Sequence, residues 1–239
     1  MNFDFITISR EKEKTDKLLD NISAFMFIEA ENKSNGWTYD LKIADGSKLD
    51  IFEGYNSIGL ESEADYLIFL HDDVELLGRA SCLEPCLKLL DKPMTGIIGA
   101  AGSRTMPADG CWWHAPQEEL RGAVFHPSQP SKDFDFGMHL NCWPWQGAKF
   151  GRVTVLDGVF LMMKTSTFKK LKGFDGNKFS GFHFYDVLLS TKATLAGLSN
   201  YVAPLHVYHK SPGVPNDNWE VNRQIYLKTY GSKLPLKVK

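Results

Sequence analysis

One stretch of the chain, Tyr66-Leu-Ile-Phe-Leu-His-Asp-Asp-Val-Glu-Leu76, places apolar residues directly before a polar cluster. The apolar residues 66–70 predict a short buried strand. His71, Asp72 and Asp73 follow at once, and an open α/β sheet binds its ligand at the carboxyl ends of its strands. Carboxylates in that position suit a hard divalent cation that also binds phosphate. A strand that simply ends in a polar turn is the alternative, and this stretch alone leaves both open.

Predicted strands and helices alternate along the first hundred residues. The strands are predicted at 3–8, 39–44, 66–70 and 95–101, and the helices at 15–29, 55–64 and 79–90. Thr15 is the predicted cap of the first helix, and Tyr55-Asn56 opens the second. This alternation indicates the α/β class, with a mainly parallel twisted sheet and flanking helices.

The rest of the chain is predicted to be less regular. Residues 102–150 are rich in Gly, Pro, Trp and His, and such a long irregular stretch is often a functional loop. Further on, a strand pair is predicted over 153–163, a last strand over 200–208, and helices over 166–172, 185–196 and 216–230. No repeat or linker divides the sequence, so we expect a single domain over 1–239.

Composition narrows the class of protein. Of the 239 residues, 43% are hydrophobic and 23% charged, which favours a globular chain over a disordered one. The formal net charge of −2 gives no general attraction to nucleic acid. No apolar run of about 18 residues predicts a membrane span, and the first residues lack a signal-peptide pattern, so a cytoplasmic location is expected.

The cysteines give no metal or disulfide pattern. No CxxC pair and no zinc-ligand spacing occurs among the four cysteines, which are Cys82, Cys86, Cys111 and Cys142. We therefore expect free, mostly buried thiols.

Four segments follow one another in a recognisable order: residues 66–76, 97–103, 155–164 with Gly173-Phe-Asp175, and 181–197. Together they resemble the inverting, family-2-like glycosyltransferases of the GT-A fold. More narrowly, they resemble a glycosyltransferase-like branch with His-Asp-Asp in place of Asp-x-Asp. The resemblance implies a single GT-A-like domain of the nucleotide-diphospho-sugar transferase type. It divides the chain into a nucleotide-binding half (1–101), an acceptor-side half (102–215), and a C-terminal helix and tail (216–239).

The same resemblance implies a metal-dependent transfer of a sugar from a UDP-sugar donor to an acceptor hydroxyl, with inversion. Asp73 occupies the last Asp of Asp-x-Asp and is the expected metal ligand, with Asp72 beside the ribose. His71 stands where the first Asp usually lies, which leaves three roles open: a ribose contact, a metal ligand, or neither.

A second metal ligand is expected from the region of His209. His206 and His209 are three residues apart, so they face opposite sides of a strand and only one can point to the site. We choose His209, and a surface histidine is the alternative. Imidazole beside a carboxylate favours Mn²⁺ over Mg²⁺. Lys210 and Ser211 follow and are candidate contacts of the diphosphate.

Asp186 is the expected catalytic base, because an inverting transfer needs a carboxylate that takes the proton of the acceptor hydroxyl. Helix capping is the alternative for an Asp near a helix start. Tyr185 stands where the family has Glu.

Nucleotide contacts are expected at the ends of the first strands. Ser9 and Arg10 match the family's first contacts, and Asn56 matches a helix start before the metal strand. Asp45 resembles the Asp that pairs with the base, and an ordinary Asp-Gly turn is the alternative.

The acceptor side is expected around Asp157-Gly158, with the tryptophans of the irregular region as stacking surfaces: Trp112, Trp113, Trp143 and Trp145. Burial in the core is the alternative for each. His114, His126 and His139 lack ligand spacing and are given no role.

Two other functions remain open from the sequence. A non-catalytic UDP- or sugar-binding protein would also show His71 and Tyr185 at positions that are usually acidic. A nucleotidyltransferase would need a basic Gly-rich phosphate loop near the first strand, and none is present.

Overall fold

The computed structural model describes residues 1–27, 36–127, 149–211 and 215–238 in full, and residues 138–142 by their backbone. Its strands are β1 (Asn2–Ser9), β2 (Thr38–Asp45), β3 (Tyr66–Leu70), β4 (Val74–Leu77), β5 (Thr95–Gly99), β6 (Ala101–Ser103), β7 (Thr105–Met106), β8 (Leu120–Pro127), β9 (Met138–Cys142), β10 (Gly151–Val153), β11 (Val155–Leu156), β12 (Phe160–Lys164), β13 (Ser199–Val202), β14 (His206–His209) and β15 (Leu236–Lys237). Its helices are α1 (Lys12–Met26), α2 (Ile51–Gly59), α3 (Glu84–Leu90), α4 (Thr165–Lys170), α5 (Tyr185–Leu195) and α6 (Asp217–Tyr230). Short 3-10 turns lie at Ala80–Leu83, Trp112–His114, Gln117–Glu119 and Gly231–Lys233.

A seven-stranded sheet in the order β10-β13-β5-β12-β3-β1-β2 forms the centre of the fold. β1 pairs in parallel with β2 and β3, and β13 pairs in parallel with β5. β12 runs antiparallel between β3 and β5. No helix longer than a 3-10 turn separates β5 from β12 in the described residues. The predicted α/β class is confirmed, with antiparallel strands mixed into the sheet.

A second sheet in the order β11-β6-β8-β14-β4, with β9 beside β8, carries part of the site. β8 and β9 lie inside 102–150, so the prediction of an irregular region there was wrong. β8 pairs with β6 and β9 nearby and with the distant β14, and a local sequence pattern does not reveal these pairings. Gly122, at φ +109°, lets β8 pass close to the Ala100 carbonyl, where a Cβ would collide. The strand predicted over 200–208 is in fact two strands, β13 and β14, separated at Ala203-Pro204-Leu205.

Three helix starts also differ from the predictions. α3 begins at Glu84, after a 3-10 turn, rather than at residue 79. α1 begins at Lys12, so Thr15 is not its cap; the Thr15 hydroxyl donates to the Lys12 carbonyl at 2.8 Å. α2 begins at Ile51 rather than Tyr55, because Asp50 and Glu53 form a capping box. That Asp-x-x-Glu spacing is visible in the sequence. α5 and α6 begin within a residue of their predicted starts.

Both faces of β3 are covered, which fixes the place where its polar end emerges. Leu67 and Phe69 belong to one core cluster, with Phe52 and Tyr55 of α2. The alternate residues Ile68 and Leu70 belong to the other, with Leu18 and Ile22 of α1. The Tyr55 hydroxyl donates to the carbonyl of Leu70 at 2.8 Å, directly before His71.

Candidate functional site

Strand pairing in the second sheet brings His209 to the end of β3. β14 runs antiparallel to β4, with His209 opposite Val74. The backbone N–H of Lys210 donates to the Asp73 carbonyl at 3.1 Å, which extends this pairing by one residue. Residues far apart in the sequence therefore meet because β4 begins directly after the His-Asp-Asp cluster.

Three side chains converge there. His71 Nδ1 lies 3.1 Å from His209 Nε2, and His209 Nε2 lies 3.3 Å from Asp73 Oδ1. One ligand atom from each lies within 4.8 Å of the other two. Two imidazole nitrogens and one carboxylate oxygen form a donor set that suits a first-row divalent ion.

The pKa values of His71 and Asp73 are both shifted toward the forms that bind a metal. Burial, followed by the neighbouring His209, lowers the pKa of His71 to about 4, so its imidazole is uncharged at neutral pH. Burial alone would raise the pKa of Asp73, but hydrogen bonds with His209 and Ser211 outweigh it and hold that pKa well below its usual range. A neutral imidazole and an ionised carboxylate are the forms that bind metal.

Tyr185 determines which nitrogen of His71 carries the hydrogen. Its hydroxyl donates to the Gly158 carbonyl at 3.0 Å, and a carbonyl can only accept. The same oxygen lies 2.7 Å from His71 Nε2 and must therefore accept from an N–H there. In neutral His71 this leaves the Nδ1 lone pair directed at His209. Burial raises the pKa of Tyr185 well above its usual value, which keeps the phenol protonated.

Asp186 lies in the first turn of α5, one residue after Tyr185. The cap residue of α5 is Phe184, so Asp186 is not the cap. Its Oδ2 accepts the Gly158 N–H at 2.8 Å. Burial, and then the charge of Asp157, raise the pKa of Asp186 to about 7.

The end of β1 lies beside the cluster. Ser9 Oγ donates to Asp72 Oδ2 at 2.6 Å, which joins the ends of β1 and β3. Arg10 Nε donates to the Gly46 carbonyl at 2.8 Å, and its guanidinium lies 5.1 Å from the centre of the Phe182 ring.

Three predicted contact residues are engaged elsewhere. Asp45 is exposed, and its carboxylate accepts the Ser47 N–H at 3.0 Å and pairs with Lys48 at 2.9 Å. Hydrogen bonds from Ser47, and then from Lys48, lower the pKa of Asp45 to about 2. The Asn56 amide binds both the N–H and the carbonyl of Phe174, each at 2.8 Å. Lys210 Nζ pairs with Glu75 at 2.7 Å. Their nucleotide contacts stay predictions.

A cavity of about 400 Å³ is lined by two residues of the cluster, His71 and His209, and by Asp157 and Asp186. Asp73 lines a separate cavity. An aromatic wall, which we define as Trp113, Phe182 and Trp219, also lines the first cavity. No sequence pattern indicated Phe182 or Trp219, because these residues meet only through the tertiary fold.

The remaining candidates are placed as follows. Trp112 is buried, as its core alternative anticipated, whereas Trp113 is partly exposed. Trp143 and Trp145 lie outside the described residues, and His139 is described only by its backbone. Cys82, Cys86 and Cys111 are free thiols, as predicted.

A second group of metal-capable side chains, Asp109, Cys111 and His114, occupies the loop before β8. The His114 ring lies 2.7 Å from the Asp109 carboxylate.

In the part of the chain that is described, no helix is both long and apolar enough to cross a membrane.

Comparison with known proteins gives a family match and a fold match. Residues 23–230 match the sequence model of a family described as "Glycosyltransferase like family". The chain is also 24% identical over 236 residues to a Fuscovulum blasticum protein named "ATP synthase subunits region ORF 6". This alignment covers 98% of this chain and 85% of that protein.

Solved structures of low sequence identity share the fold. GalNAc-T7 with UDP, GalNAc and Mn²⁺ superposes with a TM-score of 0.55 at 11% identity, over 96% of this chain and 48% of that one. The mannosyltransferase PcManGT from Pyrobaculum calidifontis, in complex with GDP-Man and Mn²⁺, gives 0.54 at 12% identity, over 99% and 65%. The chain thus spans about half to two thirds of these structures, and what it shares with them is the GT-A fold.

Proposed function

The chain belongs to the glycosyltransferase-like family, and we propose that it is a metal-dependent hexosyltransferase that moves a sugar from a UDP-sugar to an acceptor hydroxyl with inversion. One observation carries this proposal. His71 and His209 line the same cavity as Asp186, a carboxyl group whose pKa is raised, and the Asp73 carboxylate lies 3.3 Å from His209.

His71, Asp73 and His209 are the proposed metal ligands. Two imidazole nitrogens and one carboxylate oxygen favour Mn²⁺ over Mg²⁺, which prefers oxygen ligands. A bound ion would act as a Lewis acid that neutralises the leaving diphosphate. Both solved relatives contain Mn²⁺ together with a nucleotide or nucleotide sugar, which supports this assignment.

Asp186 is the proposed base. A bond forms between the acceptor oxygen and the anomeric carbon while the bond from that carbon to the phosphate oxygen breaks. The proton of the acceptor hydroxyl passes to Asp186, and the electron pair of the broken bond leaves with the diphosphate. In-line attack of this kind inverts the anomeric centre. A carboxyl group with a pKa near 7 is well matched to this task at neutral pH.

The nucleotide is proposed to lie across the ends of β1 and β2. Ser9 and Asp72 are joined at this edge, and Asp45 is opposite Ser9 in the β1–β2 pairing. Asp72 is assigned to the ribose, Arg10 to the nucleotide and Asp45 to the uracil N3–H. Asn56 and Lys210 would have to leave Phe174 and Glu75 before their side chains contact the nucleotide.

Donor hydrolysis tests the proposal against the non-catalytic alternative. An active transferase releases some sugar from UDP-sugar to water, so the purified protein should release UDP with Mn²⁺ and much less with EDTA. Asp186→Asn should abolish the release, whereas Asp16→Asn, on the exposed face of α1, should not. A protein that binds UDP but releases none from a panel of UDP-hexoses would instead be a binder.

A further inference from the structure

The aromatic wall of the cavity presents ring faces that the protein core does not use. Trp113 and Phe182 are 39% and 38% exposed, which is high for such large apolar side chains in a cavity. Exposed aromatic surface around a concave site commonly marks a ligand contact. The exposed rings of the wall are therefore a candidate ligand contact.

Two members of the wall, Trp113 and Trp219, are held in place by contacts with other rings. Trp113 lies 5.6 Å from Trp219, ring centre to ring centre, and Trp219 lies 5.5 Å from buried Phe184. Phe184 in turn packs on Tyr226, which is fully buried. Because these contacts hold Trp113 before any ligand arrives, little side-chain entropy is lost on binding.

The charges around the cavity limit what can bind there. Its described lining includes Asp157 and Asp186 but neither Lys nor Arg. The arginines nearest the wall, Arg10 over Phe182 and Arg223 over Trp219, are outside this lining, and Arg223 also pairs with Glu220 at 2.7 Å. A carboxylated or phosphorylated sugar whose charge lies near Asp157 and Asp186 would therefore be repelled, with no Lys or Arg of the described lining to offset that repulsion.

We propose that the aromatic wall is the acceptor subsite and that the acceptor is an uncharged pyranoside whose ring stacks on Trp113. This assignment rests on the proposed transferase function, because Asp186 must accept the proton of that sugar's hydroxyl. The apolar face of a pyranose covers an aromatic ring, while its hydroxyl groups remain free for polar partners such as Asp186.

Tryptophan fluorescence tests the assignment without turnover. The protein, with UDP and Mn²⁺ present, is titrated with methyl glucoside, methyl galactoside, methyl mannoside and methyl glucuronide. We expect saturable binding of at least one uncharged glycoside, and about tenfold weaker binding of the glucuronide. Trp113→Ala should weaken the uncharged glycoside by about tenfold, and Trp113→Phe should restore part of the loss.

Trp37→Ala is the matched control, because Trp37 packs on Phe3 at the opposite end of β1 from the cavity. It should bind the glycosides like the wild type. Equal binding by Trp113→Ala, equal binding of the glucuronide, or no glycoside binding at all would each overturn the assignment. Donor hydrolysis by the wild type, measured alongside, reports separately on the transferase function.

Discussion

The hydroxyl of Tyr185 lies between the Gly158 carbonyl and His71 Nε2, at 3.0 and 2.7 Å. The family has Glu at this position by resemblance, and an acid there could contact the substrate directly. Tyr185 instead is fully engaged with its two neighbours. Its effect is therefore expected to pass through His71, by fixing the tautomer that directs Nδ1 to the proposed metal.

Tyr185→Phe should weaken Mn²⁺ binding about tenfold, because His71 loses the acceptor that holds its hydrogen on Nε2. Electron paramagnetic resonance of free Mn²⁺ measures this affinity directly. Tyr39→Phe is the control, since its ring packs at the edge of Phe5 away from the cluster. Unchanged Mn²⁺ affinity in a folded Tyr185→Phe protein would show that the hydroxyl does not orient His71.

Asp186 gives a pH prediction. Because its folded pKa is raised to about 7, the carboxyl is protonated below that pH and cannot act as a base. Donor-to-acceptor transfer should therefore rise with pH through about 7. The range from about pH 5.5 to about pH 8 extends to both sides of this pKa. A transfer rate that stays flat over that range would show that Asp186 is not the titrating base.

The raised pKa of Asp186 also means that the free energy of unfolding falls as pH rises, whereas the transfer rate is expected to increase. Ionising a buried carboxyl costs free energy, so Asp186 destabilises the fold increasingly as pH rises from its unfolded pKa toward 7. Asp186→Asn keeps an acceptor for the Gly158 N–H without the charge. Denaturant unfolding should show the variant more stable than the wild type by about 1 kcal/mol or more at pH 8. The difference should shrink toward pH 4, and a constant difference would contradict the shift.

At the scale of elements, short antiparallel strands assemble the site. β4 and β14 pair so that Lys210 meets Asp73 and His209 reaches the end of β3. The sequence indicated that His209 rather than His206 would face the cluster, and the structure places His209 there by the predicted alternation. It did not indicate a second sheet, because β4 is only four residues long and its partner β14 lies more than a hundred residues away.

Asp50 connects two elements at once. Its carboxylate accepts the Glu53 N–H at the start of α2 and the Gly181 N–H before α5, at 2.9 and 3.0 Å. Asp50→Ala removes both bonds and should lower the free energy of unfolding by about 1–2 kcal/mol. Asp16→Ala removes only an exposed pair with Lys12 and should cost less than about 0.5 kcal/mol. Equal effects in denaturant unfolding would mean that the Asp50 bonds do not stabilise the fold.

At the scale of the molecule, the sequence predicted the strand–helix alternation, the α/β class and the family. Local patterns sufficed there, because β3 is apolar throughout and α5 and α6 have clear starts. The cavity could not be predicted, since Trp113, Phe182 and Trp219 come from three separate segments that only packing brings together. The role of Tyr185 also depends on a tertiary contact. The division into nucleotide and acceptor halves stays a prediction.

The central claim is that His71, Asp73 and His209 hold a metal on which nucleotide binding depends. Calorimetric titration of UDP, with Mn²⁺ and with EDTA, measures this dependence directly. The wild type and His206→Ala should bind UDP at least about tenfold more tightly with Mn²⁺, because His206 is exposed on the other face of β14. Asp73→Ala and His209→Ala should lose that gain. UDP binding that is the same with and without Mn²⁺, or unchanged by Asp73→Ala, would contradict the claim.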